Sequence, residues 1–313
     1  LNSSKEINIK SILNYKISNF IDRITFGFKA SRFLKDKKDA LIITRSLYAS
    51  IFLSLIKTKH FLEIHTEQKS LTKFLLINLN FINSKSIIKL IFISKSLRKL
   101  FKVKEKKTII LHDGTDPKNF KRKNKIKKIK NATYIGSFYK GRGIELILKL
   151  ANRFKKINFY LYGKNNLKIK KIKNIKIFNH INYSEVPKVL SNSDLLLMPY
   201  SNNVEINANN LNTANYCSPL KMFDYLASGK IIISSKLDGI SEVLKHNYNS
   251  IMVKNYQFKD WEKIIEDVLK NKFKIKQICE NSLFTAKKYS WKNRANKILK
   301  EYKKFNSKKW KFL

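Results

Sequence analysis

The sequence predicts a two-domain α/β protein, each domain a doubly wound parallel sheet. Three observations predict it. A chain of 313 residues is long enough for two cores of ordinary size. Short apolar runs alternate with segments of helical period in two consecutive series, the pattern of βαβ units. Between the series, residues 121–130 hold seven basic residues in ten without periodicity, the composition of a linker.

The elements follow in order. Residues 1–38 are basic and helix-prone, with Ile12, Ile17, Ile21, Ile24 and Phe28 at three- to five-residue steps. Strands are expected at 40–43, 61–64, 87–93 and 108–111, with helices at 47–56, 71–80 and 95–101 between them. The second series gives strands at 133–135, 158–162, 175–178, 194–198 and 231–234, with helices at 144–154, 186–190 and 218–229. Helices at 260–269 and 282–302 close the chain. The Asn-rich stretch 201–216 lacks periodicity and is expected as a surface loop that orders around ligand. In two such sheets ligands bind beyond the carboxyl ends of the strands, which places the expected site between the domains.

The formal charge of +44, from 66 basic against 22 acidic residues, is of the size that directs a protein to nucleic acid or an anionic membrane. Its make-up argues against nucleic acid as the partner. Only 8 of the 66 are Arg, the residue that pairs phosphates bidentately and reads bases, and the Lys residues are spread along the whole chain. The excess reads as compositional drift, with attraction to an acidic membrane surface as a by-product. The two cysteines, Cys217 and Cys279, support neither a disulfide framework nor a zinc site, so a reducing compartment is expected. The most apolar window, 40–56, is interrupted by Arg45 and too short to span a bilayer. The chain starts at Leu1, so an incomplete first domain is expected.

Two tracts carry chemistry. In residues 218–230, Ser218 can cap a helix, Pro219 fits its first position and Gly229 can end it. Leu220, Phe223, Leu226 and Ala227 form an apolar stripe, while Lys221 and Asp224 share another face near the positive end, an anion site with a carboxylate one turn in. In residues 134–145, a strand, a loop with Gly136, Gly141 and Gly143, and a helix start would let backbone approach a phosphate, with Arg142 to neutralise it. This loop matches neither the Gly-Lys-Ser/Thr phosphate loop nor the dinucleotide fingerprint. Asp113 and Asp116 invite a metal reading, but Asp113-Gly114 after a strand reads as a turn. His112 and Glu242 read as structural, and His60, His180 and His246 show no supporting partners.

Taken together, the tracts 136–145, 161–163, 194–199, 218–230 and 234–243 resemble, in order and spacing, the C-terminal domain of glycosyltransferases of the group 1, family 4 type, which have the GT-B fold. The similarity is strongest over 130–300. Residues 63–65, 93–96 and 112–116 resemble, more loosely, strand-end tracts of that family's first domain. The resemblance implies two Rossmann-like domains facing each other across a cleft: residues 1–125 on the acceptor side, 126–285 as the nucleotide-sugar donor domain, and 286–313 as a closing helix packing back on the first domain. It implies donor diphosphate contacts by Gly136, Ser137, Arg142, Gly143, Ser218, Pro219, Leu220 and Lys221. Ser137 stands where the family has an Arg and Arg142 where it has a Lys. Asp224 stands for the Glu that binds the ribose hydroxyls, and Tyr216, beside Cys217, for the acidic residue at the donor sugar. His65 takes the place of a His near the anomeric carbon.

The function so implied is transfer of a hexosyl group from a UDP- or GDP-sugar to a saccharide or lipid-linked acceptor, with retention and without metal or other cofactor. The expected setting is bacterial surface polysaccharide or lipopolysaccharide synthesis in the cytoplasm, peripheral on the inner face of the membrane, with no nucleic-acid partner. Two rivals remain at the level of sequence. One is a basic nucleic-acid or membrane-surface binding protein without catalysis, and the other a degenerate transferase, since Ser137 and Tyr216 lack the family's charges.

Overall fold

The computed structural model describes residues 19–37, 39–68, 70–120, 128–164, 172–204 and 212–309. The chain packs as two compact units. The first takes the chain up to Phe92, Lys102–Ile109 and the stretch from Glu301, and the second takes Ile93–Phe101 and Ile110–Lys300. The expected linker falls mostly at 121–127, outside the described residues, as do residues 205–211 of the Asn-rich stretch.

In the first unit, α1 (Asn19–Leu34) is followed by β1 (Ile43–Thr44), α2 (Leu47–Leu55), β2 (His60–Ile64), a short α3 (Ser70–Lys73) continued by a π-helical turn at Phe74–Asn78, and β3 (Ile87–Phe92). With β4 (Thr108–Ile110) the strands form a sheet in the order β1-β2-β3-β4, parallel at β1–β2 and β2–β3. Every residue of β2 is buried, the polar His60 and Glu63 included. Ser46 caps α2 by accepting from the Ala49 amide at 3.2 Å. His60, read from sequence as lacking partners, has two. Its Nδ1 donates to the Thr58 carbonyl at 2.9 Å, which leaves Nε2 to accept from the Ser50 hydroxyl at 2.8 Å. Burial lowers its pKa, which favours the neutral ring.

The second unit contains α4 (Lys95–Lys99), β5 (Asn131–Ile135), α5 (Ile144–Arg153), β6 (Asn158–Tyr162), β7 (Ile175–Phe178), α6 (Val186–Ser191), β8 (Leu195–Met198), α7 (Leu220–Ser228), β9 (Ile231–Ser235), α8 (Asp238–Ser241), β10 (Ile251–Val253), α9 (Phe258–Leu269) and α10 (Ile275–Lys288). The last helix, α11 (Trp291–Lys309), belongs to this unit as far as Lys300. Six parallel strands run in the order β10-β9-β8-β5-β6-β7. The order reverses between β5 and β8, so the crevice at their carboxyl ends is where a ligand fits such a sheet. One face is covered by α5 and α9 through Ile147, Leu150, Trp261 and Ile265, and the other by α6 and α7 through Leu190, Phe223 and Leu226.

Three expectations need correction. The closing helix at 282–302 is two helices, because Thr115 takes the chain between them: its amide donates to the Tyr289 carbonyl and its carbonyl accepts from the Trp291 amide, both at 3.1 Å. Ser218 does not cap α7; Pro219 occupies the cap position without a side-chain bond, and Leu220 is exposed rather than part of the buried stripe. The Asn-rich segment is not all surface, since Val204, Thr213, Ala214 and Tyr216 are buried.

Candidate functional site

Two sequence-distant tracts meet at the β5/β8 switch. The loop after β5 is held down by glycines whose backbone no other residue could adopt here. Gly141 and Gly143 have φ of +79° and +81°, and a Cβ on either would run into the carbonyl oxygen of Asn203 or Pro199, in the segment after β8. The loop therefore lies directly on that segment. Across from it, the start of α7 brings Pro219, Leu220, Lys221 and Asp224 to the same cavity, about 430 Å³ in volume, also lined by Gly136, Ser137, Arg142, Gly163 and Tyr183. A further bond ties the two tracts together, as the Ile135 amide at the end of β5 donates to the Tyr225 hydroxyl of α7 at 3.0 Å.

The cations of this cavity rest on aromatic rings. The Lys221 ammonium sits 3.6 Å from the centroid of the Tyr134 ring, and the Arg142 guanidinium 5.2 Å from that of Tyr200. Lys221 Nζ is buried and, among the described residues, meets no hydrogen-bond partner. Burial, and then the charge of Arg142, hold its pKa well below the ordinary lysine value.

Asp224 is buried and makes no ion pair with Lys221. Its Oδ1 accepts from the Thr115 hydroxyl at 2.7 Å and from the Tyr183 hydroxyl at 2.9 Å. Burial raises its pKa and these two bonds work against the rise. Among the described residues no donor meets Oδ2. The carboxylate is thus fixed through one oxygen and open at the other. Sequence reading missed both donors: Thr115 lay in a tract read as a turn, and Tyr183 carried no motif.

The remaining expected residues divide. Gly143 and Ser218 do not line the cavity. Gly143 is the N-cap of α5, and the Ser218 hydroxyl lies 3.4 Å from Nδ1 of His112. Cys217 is buried, its thiol pushed up to about 12 by desolvation, and the Tyr216 carbonyl accepts from the Ser94 hydroxyl at 3.0 Å. His65 belongs to the first unit, just beyond β2, where its Nε2 pairs with a carboxylate oxygen of Glu63. His112 and Glu242 prove to be partners: His112 Nε2 lies 3.2 Å from Glu242, whose carboxylate also accepts from the Lys95 and Ser96 amides at 2.7 and 2.8 Å.

No curated protein matches the chain by sequence. Among solved structures, a glycosyltransferase from Rickettsia africae superposes with a TM-score of 0.71 at 14% identity, over 93% of this chain and 83% of that one. HepE from Anabaena, solved with UDP-glucose, gives a TM-score of 0.66 at 14% identity over 89% and 82%. The lipopolysaccharide outer core galactosyltransferase WaaB, in its apo form, gives 0.64 at 13% identity over 96% and 83%. These likenesses bear out the expected fold of two parallel-sheet α/β domains. The model of the glycosyl transferase-like family matches residues 142–300, half of the chain, beginning at Arg142 and including α7. The chain belongs to that family and is a glycosyltransferase.

Proposed function

We propose that the chain transfers a sugar from a nucleoside diphosphate sugar, UDP- or GDP-linked, to a hydroxyl of a saccharide or lipid-linked acceptor, with retention of anomeric configuration. The observation that carries the donor reading is Asp224. A carboxylate anchored through one oxygen and open at the other is suited to accept from vicinal ribose hydroxyls, and it shares its cavity with Arg142, Lys221 and the start of α7. Those cations and backbone amides offset the charge of the departing diphosphate, a task for which no metal is required. HepE, with its bound UDP-glucose, supports the donor class.

We assign His65 the contact with the donor sugar implied by the family resemblance. Surface-polysaccharide or lipopolysaccharide assembly at the cytoplasmic face of the membrane is the proposed setting, supported by the likeness to WaaB and by the charge of +44. Among the described residues no helix is long and apolar enough to cross a membrane, so the proposed association is peripheral.

Calorimetric titration with UDP, GDP and a panel of their sugars tests the reading. The wild type is expected to bind at least one of them, and Asp224→Ala to weaken that binding roughly 10- to 100-fold, the worth of charge-assisted hydrogen bonds. Failure of the wild type to bind any nucleotide or nucleotide sugar would refute it.

A further inference from the structure

In a chain with 8 Arg among 66 basic residues, an Arg marks a place where a guanidinium does what Lys does not. Most of the described Arg residues have visible work. Arg142 lies over Tyr200 at the donor cavity, Arg153 pairs with Glu262 and Glu266, Arg294 donates to the His112 carbonyl, and Arg32 lies over Phe28. Arg23 and Arg45 differ. Among the described residues neither has a hydrogen-bond or ion-pair partner, and both line one cavity of about 650 Å³ in the first unit.

The fold brings these two together from separate elements. Arg23 is on α1 and Arg45 precedes α2, and the two helices are locked at close range. A Cβ on Gly27 would lie 2.8 Å from the Ala49 nitrogen, while Phe20 packs edge-on to Tyr48 and Phe28 to Phe52. Ser46, Glu63 and His65 share the cavity wall, together with Asp22. Glu63 pairs with His65 on this wall. Two forked donors without partners, opening on the cavity that holds His65, fit a planar or tetrahedral oxyanion.

We infer that this cavity binds an acidic group, carboxylate or phosphate, on the sugar acceptor, so that the enzyme prefers an anionic acceptor to a neutral one. The inference rests on the transferase reading for the word acceptor, but its test needs no turnover. Glucose, glucuronate and glucose 6-phosphate are titrated at roughly physiological salt, which suppresses non-specific attraction to a basic protein, and followed by the ring resonances of His65. The two acids are expected to shift those resonances and to bind at least about tenfold more tightly than glucose. The larger of the two margins identifies the acidic group.

In the double variant Arg23→Gln, Arg45→Gln the margin is expected to vanish, with an unchanged circular dichroism spectrum and unchanged nucleotide binding. Both side chains are exposed, so folding is retained. Equal binding of glucose and the acids, a silent His65, or a margin that survives the double substitution would overturn the inference. A wild type that binds the acids through these Arg residues but binds no nucleotide would instead count against the donor reading alone.

Discussion

Burial, and then the charge of Arg142, weaken the hold of Lys221 on its proton. In the free protein its amine sits under the Tyr134 ring, close to the charge of Arg142, and its pKa lies well below the usual lysine value. An incoming diphosphate reverses that balance, because an adjacent dianion favours the charged amine. Donor binding is therefore expected to take up a proton, up to about one per nucleotide at a pH above the depressed pKa. Calorimetry in buffers of different ionisation enthalpy measures it directly. Lys221→Met should bind more weakly and lose the buffer dependence, and heats independent of buffer in the wild type would show that Lys221 does not titrate on binding. From sequence the residue was recognisable as a cation near a helix start. Its unpaired burial was not, since Tyr134 and Tyr200 reach it only through the folded sheet.

At the scale of elements, the short helix α4 is held at its start by a side chain nearly 150 positions away. Glu242 accepts from the Lys95 and Ser96 amides and from the Ser96 hydroxyl, and faces His112. Burial raises its pKa, but these hydrogen bonds outweigh burial and bring the carboxyl down to about 2. A carboxylate whose folded pKa is depressed contributes stability that is fully present above its ordinary value and lost as pH falls through the folded one. Glu242→Gln is thus expected to lower the unfolding free energy near neutral pH by roughly 2 kcal/mol. The difference from wild type should shrink between the ordinary value of 4.5 and about 2. Urea titrations across that window measure it, and a pH-independent difference would contradict the assignment. Elements punctuated by local chemistry were legible in sequence: the Gly loop before α5, and the Gly229 stop after α7. Contacts across long separations were not. Thr115 reaches Asp224 over 109 positions and interrupts the closing helix, and nothing local to residues 282–302 announces that break.

On the scale of the whole molecule, both sheets were legible because their strands are apolar-rich runs between turn signals, even where Glu63 or Lys89 interrupts them. β10 escaped, being a three-residue strand at the sheet edge. The charge of +44 said little about function by itself, and the scarcity of Arg within it said more. The two cysteines have a consequence of another kind. Both are buried, and both lie in the second unit, one in each of its two hydrophobic clusters. A thiol-reactive dye is therefore a natural reporter for one half of this molecule. Under native conditions it should label neither site at an appreciable rate, and in a denaturant series the labelling should follow the opening of the donor-side unit alone. Compared with far-ultraviolet circular dichroism, which sees every helix, the dye would tell whether the two units come apart in one event or two.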